Sequence, residues 1–156
     1  MRRHHLRAAD WGVNSARGNK YFGECTPSSS NSCTSPAHSE AADSTATNPQ
    51  LFQPPTSVRG DIARAMFYMA MRYDGTDSNT EDLVLSKCPD PDLYALGNLT
   101  ALLQWHTDDP VSAREKWRTE QVCARYQNNR NPFIDYPELV ERIWGHGYAD
   151  FNDPGE

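Results

Sequence analysis

The amino-acid sequence predicts an α+β protein that is predominantly helical. After residue 57, apolar residues recur at helical spacing in several stretches, and one stretch carries a capping motif. Before that half, residues 26–56 are rich in Ser, Thr, Pro and Ala, which is typical of a long surface loop. The first segment, "HHLRAADWGVNSARGNKYFGEC" at residues 4–25, combines two adjacent histidines with three basic and three Asn or Asp residues. It fits either a metal and phosphate site or a polar strand and turn.

Length, charge and hydropathy bound the class of protein. The 156 residues suit one domain of ordinary size, and no run of apolar residues is long enough to span a membrane. A net charge of −6 argues mildly against nucleic-acid binding. Residues 1–20, however, hold five basic side chains and one acidic one. Such a basic patch is compatible with phosphate contact at one face, and equally with a solvated charged end.

The four cysteines are compatible with two disulfides in an oxidising compartment. Cys25 and Cys33 flank a Ser-rich stretch, and a bond between them would close that loop and contribute roughly 2–3 kcal/mol to stability in the loop-entropy model. A zinc site built from His4, His5 and two cysteines is the sharper alternative. Neither CxxC nor HxxxH spacing occurs, so the zinc interpretation is disfavoured.

The first predicted helix covers "RGDIARAMFYMAMRY", where Ile62, Met66, Met69 and Tyr73 fall on one helical face. Gly75 and the polar residues after it are expected to end this helix. A second helix is predicted over "DLYALGNLTALLQWHTDD", with an apolar face formed by Leu93, Leu96, Leu99 or Thr100, and Leu103.

The third predicted helix starts at Ser112, which forms an S-x-x-E capping box with Glu115. The side chains on this helix that are available for burial are Trp117, Val122 and Tyr126. A short fourth helix, "PELVERIW", is expected to open with Pro137 at its first position.

The linker "QNNRNPFID" joins the third and fourth predicted helices, because three asparagines and an arginine before Pro132 do not continue a helix. We expect Asn128 and Asn129 to satisfy backbone groups of the loop. Arg130 and Asn131 are candidates to face a phosphate instead.

Four separate stretches resemble the endonuclease I family of secreted and periplasmic nucleases. The resemblance covers roughly residues 4–145 and keeps the family's order; the stretches are "HHLRAADWGVNSARGNKYFGE", "RGDIARAMFYMAMRYDG", "LLQWHTDDPVSAREKWRTEQV" and "YQNNRNPFIDYPELVERIWG". It implies a ββα-metal (His-Me finger) core packed with helices. It also implies sequence-nonspecific cleavage of DNA, and often RNA, with a divalent cation that is typically Mg²⁺, with Ca²⁺ and Mn²⁺ as alternatives.

The resemblance also implies that the chain forms one nuclease domain with four parts. Residues 1–25 are expected to form a partial ββα-metal motif, 26–56 the loop, 57–147 the helical part of the same domain, and 148–156 a tail.

The resemblance assigns a chemical role to the opening segment. In the family, a strand with a His-His-Leu segment leads through a turn into a helix whose asparagine binds the metal, and that residue is Asn14 here. Its amide oxygen suits a hard cation. Arg17 lies three residues later on the same helical face, where it can contact a phosphate or form a structural ion pair. His4 and His5 are placed on the strand, His4 in a structural role and His5 as a weak catalytic candidate.

The family's general base lies upstream of this strand, in a Glu-His segment. Nothing before His4 supplies that pair or the first strand of the motif. Loss of a general base alone removes typically ~10²–10⁴ in rate, or about 3–5 kcal/mol of barrier. We therefore expect the chain as given to be N-terminally truncated and impaired in cleavage, with His5 or His106 as the remaining candidates for a base.

The expected partner is DNA, and RNA as a second substrate, with the protein acting as a secreted or periplasmic monomer without a membrane contact. No signal peptide is visible at the start of the sequence. One alternative is a catalytically inactive module that binds nucleic acid or another partner. A further alternative is a small disulfide-stabilised secreted domain whose partner is a protein.

Overall fold

The computed structural model describes residues 3–26, 32–90 and 94–145, and it shows an α+β protein in which helix predominates, as predicted. None of the helices in these ranges is long and apolar enough to cross a membrane. The elements in chain order are α1 (Trp11–Arg17), β1 (Tyr21–Phe22), β2 (Ala46–Thr47), β3 (Leu51–Gln53), α2 (Arg59–Arg72), β4 (Val84–Ser86), β5 (Ala95–Asn98), α3 (Leu99–Asp108), α4 (Ala113–Val122) and α5 (Pro132–Asp135). Shorter helical turns cover Thr56–Val58, Cys123–Gln127 and Glu141–Gly145.

The five short strands form one mixed sheet in the order β2-β3-β1-β5-β4. The central strand β1 runs parallel to both β3 and β5, and Phe22 is the residue that pairs with Phe52 on one side and Gly97 on the other. A Cβ at Gly97 would lie 2.8 Å from the Leu102 side chain. Helix α3 therefore packs directly on the sheet, and only glycine leaves room for this approach.

Helix α2 is the centre of the core and confirms the first predicted helix. Met66 and Met69 are buried, as the helical spacing predicted. Phe67, on the same helix, is fully buried and stacks on Trp144 at 4.8 Å between ring centroids, with Phe133 at 5.9 Å edge-on. These aromatic contacts bring α2, α5 and the Glu141–Gly145 turn together.

The predicted strand at the two histidines is wrong: His4 and His5 lie in a turn, and β1, the strand within the described part of residues 1–25, follows α1. The reason lies in α4. The guanidinium of Arg118 donates hydrogen bonds to the backbone carbonyls of Arg3 at 2.9 Å, His4 at 3.3 Å and Leu6 at 2.5 Å. These carbonyls therefore have a side-chain partner instead of a neighbouring strand.

The segment 26–56 is also more ordered than its composition predicts. It contains the antiparallel pair β2–β3, in which Leu51 and Phe52 are buried. Asn48 shapes the turn between them, because its Oδ1 accepts hydrogen bonds from the N–H groups of Gln50 and Leu51, both at 2.8 Å. Composition identified a loop here and missed a hairpin too short to show an alternating pattern.

The bond between Cys25 and Cys33 is present and closes the loop as predicted, with 6.0 Å between the two Cα atoms. Cys88 and Cys123 are free thiols, so the second of the two compatible disulfides is not formed. The group of His, Cys, Asp and Glu side chains that could hold a metal ion in the described residues includes neither His4, His5 nor a cysteine, so the zinc alternative has no support there.

The second predicted helix is half correct. Residues Ala95–Asn98 form β5, and α3 begins only at Leu99, after Asn98 has capped it by accepting from the N–H of Ala101. Leu96 therefore lies on a strand, and Leu93 falls outside the described residues. The spacing of the apolar residues is compatible with a helix, but backbone pairing with β1 and β4 makes Ala95–Asn98 a strand.

The capping box at the start of α4 is confirmed in both directions, since the Ser112 hydroxyl accepts from the Glu115 N–H and Glu115 accepts from the Ser112 N–H. The predicted burial is wrong for two of the three large side chains. Trp117 is 65% exposed and Tyr126 is 60% exposed. Helix α4 instead buries the face with spacing i, i+4 and i+7, formed by Glu115, Thr119 and Val122.

The fourth predicted helix is largely confirmed, since residues 139–145 are helical and Pro137 lies in the turn just before them. The sequence did not predict a further short helix, α5, in which Pro132 takes the first position and Asn131 is the N-cap. Residues 146–156, which include the predicted tail, are outside the described ranges.

Candidate functional site

Helix α1 carries the predicted metal ligand, and its start is held by Asp10. The Asp10 carboxylate accepts hydrogen bonds from the N–H groups of Gly12 at 2.7 Å and Val13 at 3.1 Å. At the other end Gly18 has a positive φ of 56°, a conformation that favours glycine, and its N–H donates to the Asn14 carbonyl. A helix of seven residues is too short to persist alone, so these caps matter for its position.

Asn14 lies in the middle of α1 with its side chain exposed. Within the described residues, its carboxamide has no protein partner, while its backbone groups complete the helix. The amide oxygen is therefore free to bind a cation or a phosphate-bound water. This placement is compatible with the predicted role and does not itself test it.

Arg17 lies one turn after Asn14 on α1, and its guanidinium carbon is 4.8 Å above the centre of the Phe22 ring. In the described part of the chain it forms no ion pair, and its Nε is buried without a hydrogen-bond partner. Burial lowers the pKa of Arg17, but a guanidinium keeps its charge at neutral pH. The structural ion pair weighed for this residue is therefore not formed, and a positive charge lies beside Asn14.

His4 has a structural environment. It is 2% exposed, its Nε2 donates to the carbonyl of Asn129 at 3.0 Å, and its ring meets Tyr68 edge-on at 4.9 Å. His5 is half-buried, and burial lowers its pKa, with the positive charge of Arg118 acting in the same direction. A neutral imidazole can accept a proton, so His5 remains a weak catalytic candidate. His106 lies instead between Arg64 and the carbonyl of Pro137.

The burial of His4 predicts how stability depends on pH. Burial lowers the pKa of His4 below its ordinary value of 6.5, so protonation favours the unfolded chain, where the pKa is ordinary. We expect the free energy of unfolding to decrease as the pH falls through 6.5 towards the folded value. His4→Gln should make this dependence shallower, as judged from urea unfolding at a series of pH values.

His5 and His106 also have pKa values lowered by burial, so the dependence should persist in part after His4→Gln. The pKa of Asp61 is raised by burial and acts in the opposite direction at lower pH, so the measurements stay above the range in which carboxyl groups titrate. His38→Gln serves as the control at a more exposed ring. An unchanged pH dependence in His4→Gln, with the fold retained, contradicts the assignment.

The two predicted phosphate contacts after α4 are engaged elsewhere. Asn131 is 1% exposed; its amide donates to the Arg64 carbonyl at 3.0 Å and its oxygen accepts from the Phe133 N–H at 3.0 Å. Asn131 is thus a buried N-cap of α5, and both ends of its carboxamide already have protein partners. Its contact with a phosphate stays a prediction. Arg130 binds the carboxylate of Asp135 through two nitrogens, at 2.6 and 2.7 Å, and also pairs with Glu120. Its charge is already matched, which argues against a phosphate contact.

The structure brings together three residues that the sequence did not connect. Asp10, His38 and Glu40 each offer one metal-ligand atom, and these atoms lie within 4.8 Å of one another. The His38 ring lies over α1, since a Cβ at Gly12 would be 2.5 Å from its Cε1. The Glu40 N–H donates to His38 Nδ1 at 3.2 Å. No local spacing relates Asp10 to residues across the disulfide loop, so sequence reasoning had no signal for this cluster.

Comparison with known proteins places the chain in a family. The Endonuclease I family model matches residues 2–138, and the chain belongs to that family of nucleases. It is 41% identical over 141 residues to the extracellular ribonuclease of Bacillus amyloliquefaciens, a match that covers 90% of this chain and 45% of that protein. It is 40% identical over 141 residues to the extracellular ribonuclease of Bacillus subtilis (strain 168), covering 90% of this chain and 46% of that protein. The chain thus spans less than half the length of these curated relatives, and no solved structure matches it significantly.

Proposed function

We propose that this chain is a metal-dependent, sequence-nonspecific endonuclease that hydrolyses phosphodiester bonds of RNA and DNA. Family membership supports the class of enzyme, and the extracellular ribonucleases among its relatives support RNA as a substrate. The observation that carries the proposal is the exposed carboxamide of Asn14, which has no partner among the described residues and lies on a capped helix within the basic N-terminal segment.

The residues present fit a hard divalent cation such as Mg²⁺, with Ca²⁺ and Mn²⁺ as alternatives. Asn14 offers one uncharged oxygen, and magnesium is commonly held by few protein oxygens while it keeps several waters. When bound, such a cation polarises the phosphodiester as a Lewis acid. The nearby cluster of Asp10, His38 and Glu40 is a second place with ligands suited to a cation, at the start of the same helix.

The chain's own residues have separable roles in this proposal. Asp10 holds the start of α1 and so fixes the direction of Asn14. Arg17 supplies a positive charge one turn away, where it can attract and orient a phosphate. Burial lowers the pKa of His5, so its imidazole is neutral at pH 7. His5 is therefore the proton acceptor that the N-terminal segment offers.

The extracellular relatives and the disulfide support a secreted or periplasmic location for the protein.

The experiment is incubation of the purified chain with plasmid DNA and, separately, with unstructured RNA, with Mg²⁺ and then with EDTA. We expect cleavage that EDTA abolishes. Cleavage that persists in EDTA contradicts metal dependence. Salt-dependent retention of nucleic acid with no cleavage in Mg²⁺, Ca²⁺ or Mn²⁺ would favour the inactive binding module instead.

A further inference from the structure

The most exposed large apolar side chain in the described residues is Trp11. It is 85% exposed, whereas Trp105 and Trp144 are 2% and 7% exposed and belong to the core. The fold does not need this indole at the start of α1, because Asp10 already caps the helix. Within the described ranges, Trp11 has no aromatic or cationic partner. A large ring left in water without a packing role is a feature of binding surfaces.

The position of Trp11 relates it to the proposed site. Trp11 precedes Asn14 by three residues on the same helix, and side chains with this spacing are neighbours, with Cβ atoms about 5–6 Å apart. Arg17 follows Asn14 by the same interval. Helix α1 therefore presents three groups in order along its length. They are an exposed aromatic ring, a free carboxamide, and a guanidinium without an ion pair among the described residues.

The chemistry of this row matches a nucleotide. The flat ring of Trp11 offers stacking to a base, and every base has a π-face. The charge of Arg17 and the local excess of basic residues attract a phosphate. Two neighbouring cationic side chains already have protein partners: Arg7 pairs with Asp61 at 2.8 Å, and Lys20 donates a hydrogen bond to the Thr47 hydroxyl at 2.8 Å. Arg17 is thus the cation best placed to act with Trp11.

We propose that Trp11 is a stacking platform for an unpaired nucleobase beside the phosphate at Asn14. The ligand that Trp11 would favour is single-stranded nucleic acid, or unpaired segments of a folded one, whereas a DNA duplex such as plasmid DNA would be bound without this stacking contact. In a duplex both faces of each base are covered by neighbouring bases, so a single indole on a helix surface cannot stack without opening the duplex. The inference rests on the proposed function for the location of the phosphate, but the stacking contact itself does not require catalysis.

The test measures binding of the full chain to a short oligoadenylate RNA in EDTA, which prevents metal-dependent cleavage. Indole emission should be quenched on binding by the wild type, and this quenching should be lost in Trp11→Phe, which keeps a smaller stacking face. Trp11→Ala should weaken binding roughly 5- to 150-fold, the equivalent of about 1–3 kcal/mol per stacked base. Trp117→Ala, which removes another exposed tryptophan on α4, is the matched control and should bind as the wild type does.

Three outcomes overturn the proposal: equal effects of Trp11→Ala and Trp117→Ala, no effect of either, or tighter binding of the same oligoadenylate annealed to oligouridylate than of the single strand. Absence of any binding to the oligoadenylate also overturns it. Failure of the proposed nuclease function has a different signature, which is absence of metal-dependent cleavage. A chain that stacks the oligonucleotide in EDTA and never cleaves it supports the platform and rejects the enzyme.

Discussion

Replacing Glu115 with alanine is expected to lower the free energy of unfolding by about 3–5 kcal/mol, because it removes the bidentate partner of a buried guanidinium. The more distant Asp61, 3.5 Å from Arg64 Nη2, is then its remaining carboxylate. Arg64 is fully buried and Glu115 is 1% exposed. Two parallel hydrogen bonds join them, from Arg64 Nε to Glu115 Oε1 at 2.9 Å and from Arg64 Nη2 to Glu115 Oε2 at 2.6 Å. This bidentate pair connects α2 to α4 in the interior of the protein.

Urea unfolding is the measurement, and the melting temperature should fall with it, by about 2–4 °C per kcal/mol for a chain of this size. Glu120→Ala is the matched control, because Glu120 is also an arginine partner on α4 but is exposed. Surface ion pairs contribute about 0–1 kcal/mol, so Glu120→Ala should hardly change the free energy of unfolding.

Glu115 also accepts from the Ser112 N–H, so Ser112→Ala measures the contribution of the capping box separately. Loss of a cap costs typically about 1 kcal/mol, well below the loss expected at Glu115. Equal stability changes in Glu115→Ala and Glu120→Ala contradict the importance of the buried pair.

Asn14→Ala is expected to reduce metal-dependent cleavage roughly 10²–10⁴-fold, since Lewis-acid stabilisation of the transition state supplies several kcal/mol. The folded state should hardly change, because the side chain is exposed and alanine is a good helix former. The combination of a large loss of rate with unchanged unfolding is the signature of a ligand rather than of a structural residue.

The rate is measured at several Mg²⁺ concentrations, so that weakened metal binding is seen as a shift of the concentration dependence. Asn14→Asp keeps an oxygen ligand and adds a charge, and it should retain more activity than Asn14→Ala. Ser15→Ala, at the exposed neighbouring position on α1, is the control and should cleave at the wild-type rate. Full activity of Asn14→Ala removes the residue from the metal site.

Much of the helical half was predictable because its signals are local. The spacing of Ile62, Met66, Met69 and Tyr73 identified α2, and the Ser112 and Glu115 pair identified the start of α4. Both patterns extend over only a short stretch of the chain, so these helices can be predicted without knowledge of distant contacts. The bond between Cys25 and Cys33 was foreseen as one option because the two cysteines lie close in sequence.

The candidate site was predictable only in part. Asn14 was identified through the family resemblance, and its exposure agrees with that role without testing it. Asn131 was assigned to a phosphate because its sequence context is polar, and the structure buries it as a cap of α5. A polar residue beside a proline does not reveal whether its hydrogen-bond partner is solvent, ligand or backbone.

The amino-acid sequence by itself determined the family, the principal helices, the capping box and the basic charge of the first 20 residues, all of which depend on neighbours in the chain. Only the tertiary structure decided that residues Ala95–Asn98 are a strand, that His4 and His5 form a turn on α4, and that Asp10 meets His38 and Glu40. These features depend on partners many residues away, whose approach is set by packing of the whole domain rather than by local preference.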